Sequence, residues 1–302
     1  EFGRFATVVR FDERGHGLSD REVEDFSPAA RLADLEAVVD DAGLDRFALM
    51  AMAQGGPISI EYVARHPERV SRLMLYGSYA GAMVNATEEE QELDLAFEAA
   101  IKVGWNRPTP EFRRVFTYQM IPGATEEQMR WLDDLQREAV SAETAVVSRQ
   151  QRKLADASRL LAGLDLPTLV LHALEDHMNH FHEARYLAAH IRGARLVALD
   201  SANHILLEDE PAWPVFLREV AAFVAEDRAV ADPVDDSMEP LSAREREVLG
   251  LAAEGCDNEA IAAKLVLSVR TVERHLQNIY LKLGLTGKNA RTAAVARFLT
   301  TR

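Results

Sequence analysis

Residues 269–284, VRTVERHLQNIYLKLG, carry Arg270, Thr271, Arg274, Gln277, Asn278 and Lys282. At helical winding these lie opposite Val272, Leu276, Ile279 and Leu283, which recur at i, i+4, i+7 and i+11 as one apolar stripe. Arginine and asparagine can pair bidentately with guanine and adenine edges, while lysine chiefly holds phosphate. That is chemistry for reading duplex DNA. A second group is DHMNHFH, where His177, His180 and His182 follow Glu175 and Asp176. Imidazoles at this density can bind zinc. No cysteine joins them and the loop is expected to be exposed, so no metal or cofactor is assigned. A third stretch, LMAMAQGGPISI (49–60), reads as a strand handing over to a helix through a tight Gly-Gly turn. On its tip stands Ala53, whose methyl has no lone pair, so no covalent intermediate can form there. Ser59 lies more than a turn into the following helix and is a poor substitute.

The 302 residues suffice for two domains, and 48% apolar with 27% charged residues is ordinary for a globular protein. No apolar stretch is long enough to span a bilayer, and no signal-peptide pattern opens the chain. One cysteine, Cys256, excludes an internal disulfide framework and fits a reducing compartment. The net charge of −15 alone argues against nucleic acid. Residues 241–302, however, hold ten Lys/Arg against six Asp/Glu, whereas the rest holds 24 against 43. A small basic module on a large acidic body follows.

The elements that must position these groups alternate. A β-rich run at 5–11 breaks into the polar loop DERGHGLSD; a helix over 28–42 aligns Leu32, Leu35, Val38 and Val39 and stops at Gly43. A strand at 47–50, a helix at 57–65 and a strand at 70–76 follow. Residues 87–163 are helical, with breaks at WNRPTP and IPGA. Alternation resumes with a strand at 168–172, a helix near 182–191, a strand at 195–199 and a helix at 211–226. This pattern predicts a mostly parallel sheet with an all-helical insertion as a cap over a site. The acidic, proline-containing stretch EDRAVADPVDDSMEP reads as an extended linker. Beyond it, Ser242 and Glu245 form a capping-box pattern, Asp257 caps NEAIAAKL, and Ser268 caps the basic helix. Two short helices with a tight turn, the second basic on its outer face, suit a helix-turn-helix reader of the major groove.

Residues 5–224 resemble the α/β-hydrolase family, and the order of motifs carries the likeness. RFDERGHGLSD follows the first strand and AMAQGG sits at the elbow; LEDH follows TLVLHA, and SANHILLEDEP follows ARLVALD. The family order is nucleophile, acid, histidine. The resemblance implies Ala53 at the nucleophile position, Asp176 as the acid, His204 as the histidine, and the Gln54 backbone N–H as an oxyanion donor. The elbow favours glycine two residues either side of the nucleophile; Gly55 keeps one and Ala51 replaces the other. A second oxyanion donor and the strand lying between 5–11 and 47–50 are expected upstream of residue 1, so the natural protein is expected to be longer. Residues 241–302 resemble the DNA-binding domain of LuxR-type regulators through LSAREREVL, EG, NEAIA, LS, TVERH, NIY and KLG. Ala260 departs from the acidic residue usual before I-A in the second helix, which is expected to weaken a cap slightly. A fourth helix, about 287–299, supports dimer contact in that family.

The expected fold class is α/β, a hydrolase-like, mostly parallel sheet with a helical cap at about 82–164 inside residues 1–226, its N-terminal strands missing from this chain. An acidic linker at 227–240 and an all-α helix-turn-helix domain at 241–302 are expected to follow. The expected function is a sequence-specific DNA-binding transcription regulator whose pocket holds a small-molecule effector without efficient turnover. Expected partners are double-stranded DNA, that unidentified effector, a second copy forming a homodimer on DNA, and the transcription machinery, with no membrane and no cofactor, in the cytoplasm. Two alternatives stand beside it, an esterase-like enzyme carrying an appended DNA-binding module and a degraded scaffold serving only as a partner surface.

Overall fold

A computed structural model describes residues 1–81, 87–231, 241–283, 285 and 290–300. They separate into two compact units, Glu1–Val230 and Ala231–Arg302. The first is built on a parallel sheet of β1 (Phe47–Met52), β2 (Val70–Tyr76), β3 (Thr168–Ala173) and β4 (Arg195–Leu199), paired in that order. Period-two alternation sends Leu73 and Leu75 of β2 to one face and Met74 and Tyr76 to the other. The first face packs against α1 (Pro28–Asp41), α2 (Gly55–Arg65) and α7 (Phe181–His190); the second packs against Phe216, Val220 and Phe223 of α8 (Ala212–Ala231). Helices on both faces explain why every residue of β2 is buried.

Between β2 and β3 the chain leaves the sheet and returns through a bridge between Gly81 and Asp156. The excursion holds α3 (Glu88–Gly104), α4 (Glu111–Met120), α5 (Glu126–Ala139) and α6 (Ala142–Arg152). These helices bury a small core of their own from Phe97, Ile101, Trp105, Phe116, Val140 and Val146. The cap expected from about residue 82 thus has its first described helix at Glu88; residues 82–86 lie outside the described residues.

One expectation is overturned. Residues 5–11 form no strand; they follow a single 3-10 turn at Phe2–Arg4 and leave Val8 and Val9 each 49% exposed. An apolar extended run becomes a strand only where another strand supplies ladder partners, and among the described residues β1 pairs with β2 alone. Two boundaries also move. The helix expected at 57–65 begins at Gly55, and that expected at 211–226 continues to Ala231, into the stretch read as linker. Residues 232–240 lie outside the described residues.

The second unit consists of α9 (Ala243–Ala253), α10 (Asn258–Leu265), α11 (Val269–Lys282) and α12 (Ala290–Thr300). Residues 287–289 of the expected fourth helix lie outside the described residues. Three of these helices start where the sequence places caps. Ser242 and Glu245 form a reciprocal capping box, Asp257 accepts from the Ala260 N–H at 2.8 Å, and Ser268 accepts from the Thr271 N–H at 3.1 Å. The α10 cap thus forms through the Ala260 backbone N–H. Val248, Leu249, Ile261, Val272, Leu276 and Ile279 close the core.

Candidate ligand pocket and nucleic-acid interface

β1 runs into Ala53, which turns the chain with φ of 46°. Only one other non-glycine among the described residues, Val266, adopts positive φ. A left-handed alanine costs about 1–2 kcal/mol, and hydrogen bonds hold it there. The Ala53 N–H donates to the Tyr76 carbonyl at 3.0 Å, and the Ala53 carbonyl accepts from the Gly56 N–H at 3.1 Å and the Ser78 hydroxyl at 2.7 Å. Gly56 lets α2 start so close, because a Cβ there would stand 1.9 Å from Ser78 Oγ and 2.8 Å from the Tyr79 carbonyl.

His204 sits in the loop after β4. Glu210 gathers that loop, accepting from the Ser201 hydroxyl at 2.5 Å, Asn203 Nδ2 at 3.2 Å and the Leu207 N–H at 2.6 Å. From beneath, the Tyr76 hydroxyl donates to the His204 carbonyl at 2.7 Å. His204 Nδ1 lies 2.7 Å from Asp176 Oδ2, and both side chains are buried. The other Asp176 oxygen accepts from the Met178 and Asn179 N–H groups at 2.8 and 3.0 Å. Burial opposes the Asp176 charge, yet hydrogen bonds from His172, His204 and the Asn179 backbone hold its carboxyl far below the usual carboxylate range. An ionised Asp176 places the His204 proton on Nδ1 and leaves Nε2 as the basic atom. Gly77, at φ of 53°, packs against the imidazole, where a Cβ would approach His204 Cε1 to 3.0 Å.

Ala53, Gln54 and His204 line one cavity of about 450 Å³, walled by Phe97, Trp105 and Leu132 of the cap. Asp176 stands behind His204 outside that lining. The cavity also meets His177, His180 and His182, with the rings of the last two stacked at 5.9 Å. Among the described residues no group of three His, Cys, Asp or Glu side chains is arranged to hold a metal. Its remaining wall, absent from the sequence reading, is cationic, formed by Arg149, Arg152 and Lys153. The signal was present in SRQQRK, where spacing of i, i+3 and i+4 puts three cations on one helical face. Lys153 and Arg149 both pair with Asp94, and Lys153 also with Glu98. Gln54 donates from Nε2 to Glu13 at 3.2 Å and accepts from Arg152.

In the second unit Arg270, Arg274, Gln277 and Asn278 are exposed on α11. Thr271 is half-buried, its hydroxyl 2.8 Å from that of Ser268 at the helix cap. The Lys282 ammonium donates to Glu245 Oε2 at 2.7 Å, tying the end of α11 to the start of α9. Five of the six residues read as DNA-facing are thus exposed, one of them already engaged by a carboxylate.

Comparison with known proteins agrees with this division. The alpha/beta hydrolase fold family matches residues 5–211, and the bacterial regulatory proteins of the luxR family match residues 239–295. A pimeloyl-(acyl-carrier protein) methyl ester esterase of Neisseria meningitidis is 30% identical over 205 residues, 65% of this chain and 75% of that protein. The oxygen regulatory protein NreC of Staphylococcus aureus is 44% identical over 69 residues, 23% of this chain and 32% of that protein. Among solved structures, an esterase from Exiguobacterium antarcticum superposes with a TM-score of 0.62 at 22% identity, covering 71% of this chain and 80% of its own.

Proposed function

We propose a function from this premise: the chain belongs to the alpha/beta hydrolase fold family through residues 5–211, and a luxR-family DNA-binding module follows it. The protein is a one-component transcription regulator. A small molecule enters the pocket beneath the cap, is held rather than turned over, and shifts how the C-terminal modules engage DNA, two copies at a time. The observation that carries this reading is Ala53, a methyl at the left-handed turn on the wall of the cavity that also holds His204. A site with a base and no nucleophile keeps its guest, and a guest with different affinity for two states moves the balance between them. Selection from a random duplex pool tests the DNA half. The expected result is an enriched sequence whose retention falls steeply with salt, as several phosphate contacts require; absence of enrichment would sink the reading.

The comparisons favour a second reading, because relatives of the body are named as hydrolases and esterases. The Asp176–His204 hydrogen bond also fits an enzyme in which imidazole activates water. On that reading the chain is an esterase-like hydrolase carrying a DNA-binding module. Steady turnover of a simple ester, abolished by His204→Ala, would establish it over the first.

A further inference from the structure

Three cations line the basic end of the pocket, Arg149, Arg152 and Lys153, against two lining carboxylates, Asp94 and Glu183; Glu98 and the Arg31–Glu13 pair stand behind that lining. Asp94 pairs with both Arg149 and Lys153, Glu98 with Lys153, and Glu13 faces Arg31 at 3.6 Å. Arg152 is left over. Among the described residues no carboxylate lies within 4.0 Å of its guanidinium, whose one hydrogen bond goes to the Gln54 side chain. A guanidinium has five N–H donors and stays charged in proteins. Burial nonetheless works against that charge, lowering the Arg152 pKa from its ordinary value. Arg152 is half-buried on the cavity wall beside Gln54, with Glu13 the carboxylate that acts on it from beyond pairing distance, and a cation drawn partly out of water without a close counter-ion is costly.

We infer that the pocket takes a free carboxylic acid with an apolar tail, its carboxylate on Arg152 and its tail against Phe97, Trp105, Phe116 and Leu132. The inference deepens the regulator reading and rests on it. Guanidinium and carboxylate match as planar, bidentate partners. Three lining cations against two lining carboxylates leave one net positive charge, which calls for a monoanion; a phosphate dianion would leave a surplus negative charge in the same space. A cavity of about 450 Å³ suits a ligand with one aryl ring or a medium acyl chain. Such an acid is what an esterase releases. Here, beside a methyl at position 53, it is the ligand itself.

Calorimetric titration of the full chain tests this, with octanoate and 4-phenylbutyrate as probes against their primary amides, their methyl esters and octyl phosphate. The acids are expected to bind at least tenfold tighter than the amides and esters. Arg152→Gln should remove that preference for acid over amide, and Arg152→Lys should keep part of it. Melting without ligand shows whether each variant folds; the acid-to-amide comparison on the unaltered chain stands even if one does not. Amides binding as well as acids, a preference that survives Arg152→Gln, tighter binding of octyl phosphate, or no binding of any probe at millimolar concentration would each overturn the inference. DNA retention measured with the same probes separates it from the reading it rests on. Acids that bind through Arg152 yet leave retention unchanged uphold the pocket assignment and remove the regulator. Retention that answers only to neutral probes does the reverse.

Discussion

At position 53 a methyl stands on the wall of the cavity that His204 also lines, and Ala53→Ser would put a hydroxyl there. The turn is left-handed, its carbonyl is held by Gly56 and Ser78, and His204 already rests on an ionised Asp176. Ala53→Ser is therefore expected to raise kcat/KM for a p-nitrophenyl ester by at least about 10³-fold, short of the roughly 10⁶ that a complete triad supplies. His204→Ala in the same background should erase the gain. If Ala53→Ser gains nothing, His204 does not address the turn and the kinship with esterases is one of fold alone. Asp176 makes a second prediction. Its folded pKa is depressed, so its charge contributes stability above the unfolded carboxylate value near 4 and loses it as pH falls below that value. Asp176→Asn should cost about 3 kcal/mol at pH 7, the order for breaking a buried pair. That deficit should shrink toward pH 3, read by urea denaturation at both pH values; a deficit independent of pH would mean the carboxylate is not the stabilising species.

The turn between α10 and α11 concentrates the strain of the second unit in Val266, a β-branched residue with φ of 54° and 92% exposed. Val266→Gly relieves about 1–2 kcal/mol of left-handed strain against about 0.5–1 of glycine entropy. A net stabilisation of about 0.5–1 kcal/mol is expected by denaturant unfolding; destabilisation would show that Val266 has a packing or docking role. On α11 itself, Arg274→Ala should cost about 1–3 kcal/mol and relax specificity at one base if it reads a base edge, whereas a phosphate contact would instead lower the salt slope of DNA binding by about one. Lys282→Ala should leave the slope unchanged and lower the melting temperature, because its ammonium already serves Glu245. These helices were legible in the sequence because their determinants are local. Ser242, Asp257 and Ser268 cap their own first turns, and the apolar stripe on α11 repeats within its own length. Residues 5–11 misled because a strand is defined by its neighbour, and the composition of the run says nothing about whether one is present. The cationic wall escaped notice for a related reason. SRQQRK shows three charges, but which of them Asp94 and Glu98 neutralise depends on α3 packing against α6, a tertiary fact.

At the scale of the whole chain the charges of the two units oppose each other. Residues 241–302 carry an excess of basic groups, while the remainder holds 43 acids against 24 bases. DNA attracts the first and repels the second, and the two terms decay with the same screening. The Debye length is about 30 Å at 0.01 M salt and about 8 Å at physiological ionic strength. An acidic body joined to a DNA-bound module therefore acts through space in dilute salt and hardly at all near 0.2 M. The module closes a hydrophobic core of its own around Val248, Ile261, Val272 and Ile279, so residues 241–302 can be compared with the full chain. At 10 mM salt the isolated module is expected to bind a selected duplex several-fold tighter than the full chain, with the two converging by about 0.2 M. Fluorescence anisotropy across that range reads the ratio. If the ratio holds constant with salt, the body influences binding through pairing of copies or placement of α11, and charge is not the coupling. A ratio that inverts, with the full chain binding tighter at high salt, assigns the body a dimerising role whose gain outlasts the repulsion.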